Sequence, residues 1–303
     1  MLYTLLVFVS VVFLALQFSV NKAYQKRYGA GIVASLTFTS LSGLLTALLF
    51  FCVNGFSLHV TPISLLYGCG IAVLCLTYNL IGFRIFTMGS LSVYTLFLML
   101  GGMILPYFYG VLALNEPVTV ARIVGLVILI LSLLFPLLDA RENGGSGKTK
   151  LLPFFSLCVL VFFLNGGVSI LSKAHQTTIY PTAGTTNFVI LTNGMSGILS
   201  ALSLGIVTLR KRQDKTDMPA ANPMKRWLVP VLALAGAACN GISYYLQLIG
   251  AAHIDASMLY PLVTGGSVVL SALAGIVFFR EIPRKWSRIG LAVTFCATLL
   301  FLF

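Results

Sequence analysis

The residues with the most chemical potential in this 303-residue chain come in pairs. Lys22 opens the stretch Lys22-Ala23-Tyr24-Gln25, and Lys173 opens Lys173-Ala174-His175-Gln176, 151 positions later. An ammonium beside hydrocarbon is costly and marks a substrate or ion path, unless its stem lets it reach the headgroups. Both are candidate contacts for a carboxylate or phosphate. Lys173 is the sharper one, because Lys22 has Lys26 and Arg27 beside it. Glu116 and Glu281 form a second pair, 165 positions apart. Each is either a gate or proton site, or a cap holding the N-terminal amides of the helix that follows. Pro117 and Pro283, just beyond them, fit a helix start. Asp255 precedes an apolar run and reads as an N-cap. His253 is a weaker candidate for coupling protons, imidazole being the side chain that changes charge nearest neutral pH.

Uncharged polar groups make a second set: Tyr78, Asn79, Tyr94, Asn187, Asn193, Asn240, Tyr244, Gln247 and Tyr260, all inside apolar runs. Amides in lipid must find partners, so they either bond neighbouring helices or face a substrate. Asn240, Tyr244 and Gln247 recur at i, i+4 and i+7, one helical face, which is the best candidate for a substrate wall.

Other chemistries lack their residues. Intramembrane enzymes need paired acids, a histidine cluster or a nucleophile with its base. His59, His175 and His253 fall at the edges of loops, and no paired acids lie in the apolar runs. The six cysteines show no CxxC spacing and read as small buried hydrophobes. Gly145-Ser146-Gly147-Lys148-Thr149 resembles the tail of a phosphate-binding loop, but Glu142 stands where its first Gly belongs and no strand precedes it. The reading is no enzyme, no metal, no cofactor and no ATP-driven pump.

These residues must be positioned by membrane helices. The chain is 58% hydrophobic and 9% charged, against roughly 25% charged in soluble domains. Ten apolar runs, near 2–20, 32–53, 63–82, 90–112, 120–138, 152–171, 183–209, 228–249, 256–279 and 288–303, approach the ~20 residues that a span requires. Met88–Leu126 repeats as His253–Leu291 without a gap, placing Ser92 on Ser257, Gly101 on Gly266 and Gly125 on Gly290. Five runs per half is odd, so the second half must enter the membrane from the other side. The expected fold is an all-α polytopic membrane protein of ten transmembrane helices in two inverted five-helix repeats, residues 1–138 and 151–303. A Gly/Ser-bearing linker, 139–150, joins them. Pro106 and Pro261 fall inside spans and are candidate kinks.

The net charge of +12 does not imply nucleic acid, because 17 of the 19 Lys and Arg fall in odd-numbered connections. That is the positive-inside pattern of a multi-pass protein, with the odd loops cytoplasmic and both termini outside. Only Arg122 and Lys173 fall on the other side.

Leu114-Asn115-Glu116-Pro117 with Ile123-Val124-Gly125, and Phe279-Arg280-Glu281-Ile282-Pro283 with Arg288-Ile289-Gly290, resemble the drug/metabolite transporter superfamily, nearest its bacterial EamA-like branch. The likeness runs over essentially the whole chain. It implies a multi-pass protein of the bacterial inner membrane that moves its substrate by alternating access, often with cytoplasmic termini, the reverse of the charge pattern here. Small multidrug members use a first-span Glu to exchange protons for cationic drugs, whereas spans one and six here hold no acid. The expected activity is therefore secondary transport of a small polar metabolite, an amino acid or organic anion being favoured, with a proton or other ion as the candidate coupling partner. Efflux of drugs or cations is the alternative; a membrane-embedded enzyme and a non-transporting receptor stand further off.

Overall fold

With no water to hydrogen-bond the backbone, a chain this apolar must satisfy its amides internally, and helices do so within one segment. The computed structural model describes residues 2–29, 31–86, 91–132, 134–135, 138, 151–213, 228–280 and 284–302. Ten α-helices run through them: α1 (Leu2–Tyr28), α2 (Ile32–Val53), α3 (Pro62–Phe86), α4 (Leu91–Ala113), α5 (Val120–Ser132), α6 (Leu151–Thr177), α7 (Thr185–Gln213), α8 (Leu228–His253), α9 (Ala256–Phe279) and α10 (Lys285–Leu299), the last ending in a 3₁₀ turn, Leu300–Leu302. No strand occurs among the described residues. Nine helical segments are long and apolar enough to cross a membrane, and the protein is a polytopic α-helical membrane protein. The exception is α5, 13 residues long; the rest of the expected 120–138 span is described only at 134, 135 and 138. The linker 139–150 lies outside the described residues.

Large apolar side chains face outward all round, among them Leu48, Leu112, Leu202 and Val277, as lipid-facing surfaces do. Because burial of apolar area gives little drive between helices in lipid, close backbone approach has to hold them together. Glycines permit it. A Cβ on Gly43 of α2 would sit 2.9 Å from the Asn193 carbonyl of α7, and one on Gly101 of α4 would fall on the Phe162 carbonyl of α6. The packing is crossed between halves: α1 lies on α8 and α9, α6 on α3 and α4, α2 on α7, and α5 on α10. Pro106 and Pro261 sit within α4 and α9, each of which continues through its proline.

Two helices run further than their apolar runs suggest. α1 continues past residue 20 to Tyr28, and α6 past residue 171 to Thr177. The extension of α6 takes His175 from the expected loop edge into the protein, where it is 1% exposed. The cysteines are all free, but Cys52, Cys69 and Cys296 lie on outer faces rather than buried.

Candidate functional site

The α2–α3, α4–α5, α6–α7 and α8–α9 connections meet at one end of the bundle, and the polar side chains converge there. The first residue of interest is Asn115. Its φ of 53° is left-handed, a conformation Asn tolerates better than most residues. It ends α4 by turning the chain back, so that the Glu116 N–H donates to the Gly110 carbonyl at 3.0 Å. The Glu116 side chain then folds over Gly110, where any Cβ would run into its carboxylate. Arg280, 165 positions after Asn115, adopts the same left-handed turn (φ 54°) at the end of α9. Its neighbour Glu281 lies outside the described residues.

Turned this way, Glu116 does cap a helix, but not the one that follows it. Its two carboxylate oxygens accept the Ala256 and Ser257 N–H groups at 2.7 and 2.9 Å, closing the N-terminus of α9 in the other half of the chain. Helix α5 has its own cap, Thr119, whose hydroxyl accepts the Arg122 N–H at 3.2 Å. Asp255 stands at the N-cap position of α9, but its carboxylate bonds none of the α9 amides. With Glu116 already on those amides, the Asp255 carboxylate turns to Arg122, whose Nη1 donates to it at 2.9 Å and to Ser257 Oγ at 3.0 Å.

Lys173 completes the group from α6. It is 4% exposed, and its Nζ donates to the Ala251 and Ile254 carbonyls at 2.9 and 2.7 Å, closing the C-terminal end of α8. The same nitrogen lies 3.5 Å from Glu116 Oε1. The short α8–α9 turn thus has a cation on its carbonyl end and an anion on its amide end, each matched to the local helix dipole. Two cations and two carboxylates close this end, and we call the arrangement the ionic clasp. Glu116 and Asp255 are the only carboxylates among the described residues.

A second set of bonds ties the same end without a carboxylate. Ser64 at the start of α3 has its Oγ 2.8 Å from His175 Nε2 and accepts the Ala183 N–H at 2.8 Å. The His175 ring stacks on Phe188 of α7, centroids 3.5 Å apart. Asn187 Oδ1 accepts from Asn54 Nδ2 at 3.0 Å and from the His59 N–H at 3.2 Å, fastening the α2–α3 loop to α7. Of the two roles open to Asn187, bonding a neighbour or facing substrate, the contacts made here are those of a loop anchor.

The remaining sequence candidates line a polar seam below the clasps. Tyr260 donates to the Ser169 carbonyl at 2.7 Å, and the Tyr244 hydroxyl lies 3.1 Å from Ser172 Oγ, tying α9 and α8 to α6. Asn240 donates to Asn193 Oδ1 on α7 at 2.9 Å, while Gln247 donates to Ser243 on its own helix. The three residues on the α8 face therefore fan toward different neighbours. Tyr78 packs against the buried cluster of Tyr94, Ile85 and Phe154. Asn79 is half-buried on α3 with no hydrogen-bond partner among the described residues. Lys22 sits apart from all of these, at the other end of α1, with its Nζ 5.1 Å from the Phe279 ring centroid. His253 is exposed and stacks on Tyr3, centroids 3.9 Å apart. No cluster of metal-ligating side chains occurs among the described residues.

Sequence reading assigned no site role to Arg122, Ser64 or His175. Arg122 carried a signal: it and Lys173 are the only basic residues on the sparsely charged side, where Glu116 and Asp255 also lie. Ser64 and His175 carried none, since their contact joins residues 111 positions apart.

Among known proteins, a solved crystal structure superposes on this chain with a TM-score of 0.72, covering 99% of this chain and 96% of the other at 18% identity. The likeness establishes the fold. No family model and no curated protein sequence matches.

Proposed function

We propose that this protein is a secondary transporter that moves a small polar metabolite, an amino acid or organic anion being favoured, by alternating access between two inverted five-helix repeats. The observation that carries this reading is where polarity lies. Outer faces are apolar, while polar groups gather inside: the ionic clasp joins the two halves, where repeat-built carriers hold substrate, and the hydroxyl–amide seam runs beside it between α6, α7, α8 and α9. The crossed packing of α1 on α8 and α9, and of α6 on α3 and α4, fits a pseudo-two-fold between the halves. The coinciding left-handed turns at Asn115 and Arg280 fit it as well. Membership of the drug/metabolite transporter superfamily and residence in a bacterial inner membrane belong to the same proposal.

The seam itself offers neutral donors and acceptors on α6, α7 and α8, suited to hydrogen-bonding a polar solute. Lys173 is already saturated by two carbonyls and Glu116, so a substrate anion meets it only after the clasp parts. The tyrosines 78, 94, 244 and 260 favour a second reading, efflux of an aromatic or cationic compound, since aromatic faces attract cations.

Thermal stability of the purified protein against a panel of amino acids, organic acids, nucleotide sugars and lipophilic cations tests both. A ligand that binds only the folded state stabilises it by about 2.7 kcal/mol at 100 times its Kd. Stabilisation by acids or amino acids, followed by their uptake into proteoliposomes under an imposed gradient, is the expected result. Stabilisation by lipophilic cations alone shifts the assignment to efflux. No flux of any panel compound, under any gradient, overturns transport.

A further inference from the structure

We infer that the ionic clasp is the moving gate at its end of the bundle, and that the carboxylate-free contacts around His175 and Asn187 are its fixed frame. The inference rests on the transport reading above and names the contact that opens. Both ion pairs and both cap bonds of the clasp join segments from different halves. Glu116 and Arg122 belong to the α4–α5 connection; Asp255, Ala256 and Ser257 belong to the α8–α9 turn; Lys173 reaches that turn from α6. Parting α4–α5 from α8–α9 therefore breaks both ion pairs and both cap bonds in one movement, and it uncovers the seam at Tyr260 and Ser169 directly beneath.

Charge is what makes such a contact reversible. A seal of apolar side chains loses stabilisation when wetted and has nothing to gain from water. Buried ions lose much of their attraction to desolvation, and separated ions recover hydration, so a closed dry state and an open wet state can lie close in free energy. The clasp already grades toward water: side chains of Glu116 and Lys173 are 7% and 5% exposed, those of Arg122 and Asp255 12% and 36%. The outer pair can admit water first and the inner pair follow. Two buried polar atoms beside this path have no partner as it stands, Arg122 Nε and the Tyr107 hydroxyl, and both gain one when water enters.

The frame lacks these properties. Its bonds join α3, α6 and α7 through a ring stacked on Phe188 and through an amide 8% exposed, and separation leaves an apolar stack facing water.

The test uses a single reporter cysteine, Ser169→Cys, in the full-length protein with its native cysteines replaced. The protein is reconstituted in vesicles whose sidedness is read from a cysteine at the exposed loop residue Val118. A membrane-impermeant maleimide is supplied from the clasped end only. Lys173→Met and Glu116→Gln are expected to raise the Ser169→Cys labelling rate at least 10-fold, and Asp255→Asn several-fold. Asn187→Ala is expected to lower Tm with no change in labelling. If Lys173→Met does not fold, Asp255→Asn, altering the part-exposed outer pair, decides. Wild-type labelling rates in every folded clasp variant overturn the gate, as does faster labelling in Asn187→Ala. Labelling requires no flux: a chain that transports nothing on the panel but opens on clasp mutation loses only the transport reading.

Discussion

The two sets of contacts at the clasped end lie side by side and do the same geometric work, each tying a loop of the first half to a helix end of the second. They differ in chemistry. One uses two carboxylates against an ammonium and a guanidinium; the other uses a hydroxyl, an amide and an imidazole ring packed on Phe188. In a protein with only seven acidic residues, placing two of them here is a strong commitment of charge. The lesson is that the cost of burying polar groups depends on what happens when they are exposed again. Ions regain water; stacked rings do not.

Mutations should separate the two. The largest stability loss is expected for His175→Ala, which removes a ring 1% exposed and leaves Ser64 Oγ without that contact. By comparison with buried aromatic truncations the cost is about 3–5 kcal/mol, read as a fall in the midpoint of thermal or denaturant unfolding. Asn187→Ala comes next, because it removes one acceptor of the Asn54 amide and the acceptor of the His59 N–H, two hydrogen bonds at about 0.5–1.5 kcal/mol each. For the clasp, Lys173→Met and Glu116→Gln should be sub-additive, with a coupling of about 0.5–3 kcal/mol in a double-mutant cycle. A coupling of zero would mean that the 3.5 Å approach contributes nothing. The smallest effect belongs to the outer pair: Arg122→Gln or Asp255→Asn should cost about 1 kcal/mol or less and shrink further in high salt. Should Asp255→Asn destabilise more than His175→Ala, the contrast drawn between the two regions is wrong.

Much of the fold was legible because lipid enforces it. Nine of the ten apolar runs coincide with helical segments of spanning length, and the 165-residue offset matched Asn115 to Arg280, which share a left-handed turn. Helix ends were harder. Hydropathy falls where polar residues begin, yet α6 carries Lys173 and His175 on two further helical turns because partners from α3, α7 and α8 bury them. Residue types at the clasp were legible and their partners were not. Glu116 has the right chemistry for a cap, but the amides it reaches lie 140 positions away rather than in the next helix. Asp255 has the right position for a cap and loses the role to that distant carboxylate. Nothing local in the sequence encodes either outcome.

The most direct test needs no mutation. Hydrogen exchange of the wild-type protein reports which contacts open short of global unfolding. Ala256 and Ser257 N–H bond to Glu116, while Ala183 N–H bonds to Ser64. If the clasp moves against a fixed frame, the first two should exchange at least 10-fold faster than the third, at a rate insensitive to low denaturant. Equal protection at the three amides, all following global stability, would contradict the account.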